Sequence, residues 1–317
     1  MTERFRQIVL LTAALVIGGI AVFVVANWEP NRSVEELAVR WAKPPSLFIE
    51  VGDLLVHVRD EGPRDDQMPL VLLHGTGSSL HTWDGLADLL KNDRRVIRFD
   101  LPGFGLTGPD PANDYALETY VQFVVDALDT LDVDRCILAG NSLGGYIAWA
   151  TAVLNPARVE KLVLIDASGY NFESQSVPIG FRLARMPLIK NIVQDVLPRS
   201  VVESSVNNVY GDPSRVTPEL VDRYFELATR EGNRNALMER MRQLQPGTLA
   251  ERITDITQPT LILWGKKDRL IPLRYGEQFQ KDIAQSKLVI WEELGHVPHE
   301  EDPALAAKAI LDFLGAP

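Results

Sequence analysis

From Leu47 onward, short runs rich in Leu, Val and Ile alternate with longer stretches of helical periodicity, and nothing else constrains the fold as strongly. Such alternation favours a mostly parallel sheet covered on both faces by helices. Later runs such as Leu261-Ile262-Leu263-Trp264 are apolar at every position, the pattern of strands buried on both sides. Eight strands are expected: Leu47 to Glu50, Leu54 to Arg59, Leu70 to Leu73, Arg95 to Phe99, Arg135 to Ala139, Lys161 to Ile165, Thr260 to Leu263 and Lys287 to Trp291. Helical patterns cover Ala116 to Leu131, Leu143 to Leu154, Arg274 to Ile283 and Pro303 to Leu314. The expected class is α/β, an eight-stranded mostly parallel sheet. Between Asp166 and Thr260 the alternation breaks, yet the pieces read as helical. Thr217 caps a helix with Pro218 at its first position, followed by Leu220, Val221, Tyr224, Phe225 and Leu227 at helical spacing. Residues 171-255 are therefore expected to form a helical lid inserted into a domain spanning 47-317.

The N-terminus departs most from the mean composition. Ile8 to Ala26 is 19 residues without a charge, about 28 Å as a helix, close to the hydrocarbon thickness of a bilayer. Val24-Val25-Ala26 would satisfy a cleavage rule, but the run exceeds the usual apolar core of a signal peptide, so an uncleaved transmembrane anchor over 1-27 is expected. Arg4 and Arg6 precede the span and Arg32, Arg40 and Lys43 follow it, so basic residues do not set its orientation. The short leading tail favours a single-pass anchor with the folded domain on the extracytoplasmic side. Ser33-Val34-Glu35-Glu36 has capping-box spacing, and Val34, Leu37, Ala38 and Trp41 recur at helical intervals, giving a linker helix within 28-46. With Trp28 and Trp41 it lies either at the membrane interface or against the globular domain.

Of the 317 residues, 46% are hydrophobic and 24% charged, an ordinary globular balance. A net charge of −11 gives no electrostatic footprint for nucleic acid. The single cysteine, Cys136, excludes an internal disulfide and any cysteine-cluster metal site, and its apolar surroundings read as core.

Chemistry concentrates at Gly140-Asn141-Ser142-Leu143-Gly144-Gly145, between an apolar strand and a helical pattern. G-x-S-x-G in that context places a serine on a tight strand-to-helix turn with its Oγ projecting. A serine hydroxyl needs an imidazole base and a carboxylate to orient it. The five histidines are His57, His74, His81, His296 and His299. His296, directly after the last strand in Leu294-Gly295-His296-Val297-Pro298, emerges at the carboxyl edge of the sheet, and Gly295 is expected to give it backbone freedom. His299, its rival, leads into Glu300-Glu301-Asp302. Asp268, after the strand Leu261 to Trp264, is the expected orienting acid, with Asp166 one strand earlier as the alternative. The order Ser142, Asp268, His296 is the one typical of this elbow. The loop His74-Gly75-Thr76-Gly77 is placed to offer an oxyanion donor, and the expected pair is the backbone N–H of Thr76 and of Leu143. The His74 ring is expected only to tie that loop down.

These residues resemble the lid-bearing esterase, lipase and carbon–carbon-bond hydrolase branch of the α/β-hydrolase superfamily, from about Leu47 to the C-terminus. The resemblance rests on His74-Gly75, Asp100-Leu101-Pro102-Gly103-Phe104-Gly105, the Ser142 elbow, Trp264-Gly265-Lys266-Lys267-Asp268, and Gly295 through Pro303. It implies the triad and oxyanion donors named above, with Asp166 as a non-catalytic strand-end residue. Serine rather than aspartate at the elbow removes dehalogenase and epoxide-hydrolase chemistry. Thr107 stands where a serine is common in such a loop.

Two other motifs are set aside. Gly103-Phe104-Gly105-Leu106-Thr107-Gly108 spells a dinucleotide fingerprint, but Pro109 and Pro111 interrupt the helix it requires. His296-x-x-His299 beside Glu300 suggests zinc, but Pro298 disfavours the aligning helix. No cofactor and no metal are expected. The expected function is hydrolysis of carboxylic esters through an acyl-enzyme, with monoacylglycerol or another apolar, lipid-like ester as the small-molecule substrate. The alternatives are a carbon–carbon-bond hydrolase of ring-cleavage products and a non-catalytic ligand-binding member of the fold. Lid residues Phe181, Leu183, Met186, Leu188, Ile189 and Leu197 suit an acyl pocket or plain lid packing.

Overall fold

The structure is a computed structural model, and it describes residues 3–186, 195–243 and 245–315. Eight strands form one sheet: β1 (Leu47–Val51), β2 (Leu54–Glu61), β3 (Leu70–Leu73), β4 (Val96–Phe99), β5 (Cys136–Asn141), β6 (Val159–Ile165), β7 (Thr260–Gly265) and β8 (Ser286–Trp291). Their spatial order is β1-β2-β4-β3-β5-β6-β7-β8. The pairs β1–β2 and β2–β4 are antiparallel and every other pair is parallel, as expected of an eight-stranded mostly parallel sheet. Both faces of β3, β5 and β7 are buried, which is why these strands carry no polar alternation.

Helices α3 (Asp84–Leu90), α4 (Leu117–Thr130), α5 (Leu143–Leu154), α10 (Arg274–Asp282) and α12 (Pro303–Leu314) cover the sheet, the last preceded by the single turn α11 (Pro298–Glu301). One core lies on the α4 and α5 side, around Trp149, Phe99 and Trp264. The other, around Trp83 and Leu86, lies beneath α3 and α12. Cys136 is buried in the first of these. Helix α3 was not among the expected elements. Its seven residues include Gly85, too short a stretch for a clear period. Expected strand ends differ from the observed ones by one or two residues, because pairing with neighbours rather than composition sets where a strand stops.

Between β6 and β7 the chain forms α6 (Ile179–Ala184), α7 (Arg199–Val209), α8 (Pro218–Ala228) and α9 (Asn233–Gln243). Thr217 caps α8 by accepting the Leu220 N–H at 3.2 Å. This helical insertion stands over the carboxyl ends of β5 and β8, tied down where His296 N donates to Val209 O at 2.7 Å.

Helix α1 (Glu3–Ala26) has most of its described apolar side chains exposed and is long and apolar enough to cross a membrane. The chain after it runs onto the insertion: Glu29 N donates to Asp195 O (2.9 Å) and Leu197 N donates to Asn27 O (3.1 Å). Helix α2 (Val34–Trp41) follows, capped by Ser33. Of its two expected positions, packing on the globular domain is the one observed. Leu37 is buried with Leu106 and Leu227, and Trp41 Nε1 donates to Glu226 Oε2 at 2.7 Å.

The sharpest packing constraint is at β5–α5. A Cβ on Gly144 would sit 2.0 Å from the Leu73 carbonyl oxygen, and one on Gly140 would sit 2.2 Å from Gly144. Backbone cannot yield as a side-chain tip can, so Gly144→Ala is expected to cost about 3 kcal/mol or more. A urea-denaturation midpoint unchanged from wild type would contradict this packing.

Candidate active site

Strand β5 ends at Asn141 and helix α5 begins at Leu143, leaving Ser142 alone to make the turn. It does so at φ 54°, ψ −113°, a conformation that L residues rarely adopt. The turn is held by Ser142 N donating to Ile165 O (3.1 Å) and Ser168 N donating to Ser142 O (3.1 Å). As the first residue of α5, Leu143 has a backbone N–H without an intrahelical acceptor. Thr76, in the loop after β3, lines with Ser142 a cavity beneath the insertion, and its N–H makes no hydrogen bond among the described residues.

His296 also lines that cavity, and its Nδ1 lies 2.7 Å from Asp268 Oδ2. Asp268 Oδ1 accepts the backbone N–H groups of Leu270 (2.8 Å) and Ile271 (3.0 Å), which fixes the carboxylate plane. Asn141 Nδ2 donates to His296 O at 2.8 Å, coupling the serine turn to the histidine loop. No Ser142–His296 hydrogen bond is formed in this conformation. Such bonds are commonly loose before substrate binds.

The expected reason for Gly295 needs correction. Its φ is not positive. A Cβ there would meet Gly211 N at 2.4 Å and Val209 O at 2.5 Å, so close approach of the insertion, not backbone freedom, requires glycine. The histidine loop is also held by Glu301, whose carboxylate accepts Gly295 N (2.7 Å) and Gly211 N (2.9 Å). Burial lifts the Glu301 carboxyl above its ordinary value despite these bonds. Nothing in the sequence singled Glu301 out, because its partners are backbone groups.

His299 is fully buried, with Nε2 at 3.1 Å from Thr82 Oγ1 and its ring 4.0 Å from that of Trp83. Burial, and then the charges of His296 and Arg223, hold it well below the usual histidine range. Glu300 pairs with Arg223 and accepts the Tyr224 hydroxyl at 2.9 Å. Neither His299 nor Glu300 joins the His296–Asp268 pair. His74 keeps the role expected of it: Nδ1 lies 2.8 Å from Gly75 O, and Nε2 accepts Leu101 N at 3.0 Å. The Gly103–Gly108 segment closes on itself through Gly103 N to Gly108 O (2.6 Å), and no helix begins until Leu117.

Asp166, at the end of β6, accepts Gly265 N through Oδ1 at 3.0 Å, while its Oδ2 has no hydrogen-bond partner. Polar atoms of Asp166, Asp268 and His296 lie within 4.8 Å of one another. A carboxylate–imidazole–carboxylate cluster of this size has donors a cation could use. The 2.7 Å His296–Asp268 contact is a hydrogen-bond length that already occupies Nδ1. Burial first, and then the adjacent Asp268 charge, raise Asp166 well above the carboxylate range.

A second Ser-His-Asp chain exists. His57 Nε2 lies 2.8 Å from Ser46 Oγ, and Nδ1 lies 2.8 Å from Asp100 Oδ2. Ser46 accepts the Arg59 Nε–H and Asp100 accepts the Leu80 and Leu106 N–H groups, so this chain clamps β2 to the 100–106 loop. Neither Ser46 nor His57 lines the cavities at Ser142.

Ser142, Thr76, Phe181 and Leu270 form the junction of two spaces. One, of about 190 Å³, runs beneath the insertion and is mostly apolar, with Leu183, Val196, Leu197 and Met238 in its wall. Of the insertion residues expected to suit an acyl pocket, Phe181, Leu183 and Leu197 line it. Met186 is exposed, and Leu188 and Ile189 lie outside the described residues. The other space, of about 420 Å³, is more polar and includes Arg185 and Arg240.

Residues 68–303 match the family model described as alpha/beta hydrolase fold, so the chain belongs to that family and is a hydrolase of the α/β fold. It is 32% identical over 281 residues to the 2-hydroxy-6-oxo-2,4-heptadienoate hydrolase of Pseudomonas putida, covering 85% of this chain and 96% of that one. Among solved structures it is similar to a membrane phospholipase A described as a bacterial virulence factor: TM-score 0.73, 26% identity, 99% of this chain and 98% of that one. A meta-cleavage product hydrolase from Pseudomonas fluorescens superposes with TM-score 0.73 over 84% of this chain and 97% of its own. At 24% identity, that likeness speaks to the fold.

The Asp166 environment has a measurable consequence. A carboxyl whose folded pKa is raised contributes its stability below the unfolded pKa and loses it as pH climbs toward the folded value. Asp166→Asn keeps an acceptor for Gly265 and does not titrate. Its melting temperature relative to wild type is expected to rise by about 2 °C or more between pH 4 and pH 8. A pH-independent difference would mean that Asp166 is ionised in the folded protein.

Proposed function

We propose that this protein is a membrane-anchored serine hydrolase that cleaves carboxylic esters of lipid-like acyl groups through an acyl-enzyme. The observation that carries the reading is the strained Ser142 turn, at the junction of a more polar space and an apolar cavity whose wall includes His296, the ring paired with Asp268. Ser142 Oγ attacks the ester carbonyl while His296 takes its proton, with Asp268 holding the ring in orientation. The backbone N–H groups of Thr76 and Leu143 receive the oxyanion. Collapse breaks the carbon–oxygen bond, and His296 returns the proton to the leaving alcohol. Water then attacks the acyl-enzyme by the same route and releases the acid. No step draws on a cofactor or a metal.

Membrane attachment is part of the proposal. Helix α1 has 24 residues, about 36 Å long, with most of its described apolar side chains exposed, which suits lipid better than water. The segment leaving it bonds to residues 195–197, and Val196 and Leu197 line the apolar cavity, so one wall of that cavity lies beside the chain leaving the anchor. We place the hydrolase domain on the extracytoplasmic side. The membrane phospholipase A likeness, which extends over 99% of the chain, supports the lipid reading.

A second reading, cleavage of carbon–carbon bonds in ring-cleavage products, is favoured by the 32% identity to the Pseudomonas putida hydrolase. Against it stands the lining of the apolar cavity, which is mostly aliphatic and whose Arg223 is already ion-paired with Glu300.

Full-length protein in neutral detergent is expected to turn over 1-monoacylglycerols and nitrophenyl esters, with an optimum at medium or long chains. Ser142→Ala should lose activity by roughly four orders of magnitude or more, and Asp268→Asn by roughly two to four. Faster turnover of a vinylogous diketone than of any ester would favour the second reading. Failure of Ser142 to react with a fluorophosphonate in folded protein would leave a binding role. The protein should remain with membranes after a carbonate wash, and protease added to sealed cells should degrade the hydrolase domain.

A further inference from the structure

The larger space at Ser142 differs from the apolar cavity in one respect that bears on substrate. Its wall includes Ser168, Ser174, Gln245, Arg185 and Arg240. Arg240 is 9% exposed, on α9, and its one side-chain hydrogen bond among the described residues is from Nη2 to the Met241 sulfur at 3.2 Å. Its Nε has no partner, and among the described residues no carboxylate pairs with it. Tyr120, the polar group whose field would stabilise it, is neutral and donates its hydroxyl proton to Pro102 O. The nearby charge is Arg185, which is positive. Burial draws the Arg240 guanidinium down to about 10, so it keeps its charge at neutral pH.

Buried charges are ordinarily paired, since an uncompensated ion in a low-dielectric site is costly. In the apolar cavity Arg223 is paired with Glu300, while Arg234, which has no ion pair among the described residues, donates to Asn31 and lies in the field of Asp195 and Glu29. Arg240 has neither an ion pair nor a nearby carboxylate among the described residues. It faces, with a second guanidinium, a chamber that begins at the proposed nucleophile. Guanidinium forks match carboxylate and phosphate oxygens in shape and charge.

We propose that the Arg185–Arg240 chamber is the subsite for an anionic group on the alcohol side of the substrate, so that the preferred esters carry a phosphate or carboxylate beside the cleaved bond. The proposal rests on the serine-esterase reading above and names its substrate class. The acyl chain occupies the apolar cavity and the anionic alcohol occupies the chamber. Transfer of the acyl group to Ser142 Oγ releases that alcohol, protonated on its leaving oxygen by His296, before water clears the acyl-enzyme. Binding energy from the anion, remote from the carbonyl, positions the ester for attack.

The test uses full-length protein in neutral detergent with four probes of one acyl length. Three are esters: 1-acylglycerol 3-phosphate, the acyl ester of glycolate, and neutral 1-monoacylglycerol. The fourth is a non-hydrolysable ether, 1-O-alkylglycerol 3-phosphate, compared in binding with its neutral ether. Wild type is expected to favour at least one anionic ester over the neutral one by tenfold or more in kcat/KM, and to bind the anionic ether tenfold or more tightly than the neutral ether. The two anionic esters decide between phosphate and carboxylate. Arg240→Gln should erase both ratios, Arg240→Lys should recover part of them, and Arg185→Gln should reduce them less. Ratios near one in wild type, or ratios unchanged in Arg240→Gln, overturn the subsite. An intact binding ratio without turnover of any ester removes the esterase reading and leaves the anion subsite standing.

Discussion

Everything at the site depends on how closely two pieces of backbone approach one another. Helix α5 leaves strand β5 after a single residue, and its first turn presses against the Leu73 carbonyl, with Gly144 in the contact and Gly140 beneath it. Only hydrogen-sized side chains fit there, so Ser142 is forced into a left-handed conformation that projects its hydroxyl above the sheet. The strain is local. It persists because the buried strands and helix α5 around it leave the turn no alternative.

That geometry also sets where the other functional groups arise. Strands β7 and β8 run parallel to β5, so the loops that follow them emerge on the same edge and deliver Asp268 and His296. Backbone N–H groups hold the acid, and Glu301 and Asn141 hold the histidine loop. The contrast with Ser46, His57 and Asp100 is instructive. A Ser-His-Asp chain hydrogen-bonded at both links clamps one part of the fold to another when its serine is not strained and borders neither cavity at Ser142.

The insertion divides the space above Ser142 by polarity. Its α6 and α7 side supplies aliphatic side chains and is joined by backbone hydrogen bonds to the chain leaving α1, while α9 supplies a buried, unpaired arginine on the other side. An ester lying across the serine would have its acyl half in one environment and its alcohol half in the other. On the proposed reading, polarity rather than volume determines which way round such an ester binds.

The strand–helix alternation, the continuous apolar runs and the glycine-flanked Ser142 were legible in the sequence because they are local demands: burial on both faces, and a turn with no room for side chains. The loop positions of Asp268 and His296 were legible because parallel strands send their following loops to one edge. What the tertiary structure alone decided are relations between distant segments. Gly295 is glycine because the insertion at Val209 to Gly211 abuts it, and Glu301 acts through the backbone of two loops. Helix α9 mixes Arg, Asn and Glu with Ala, Leu and Met, and only packing shows that Arg240 is buried without a counter-charge. A residue's type is written in the chain, but its desolvation and its partners belong to whatever folds against it.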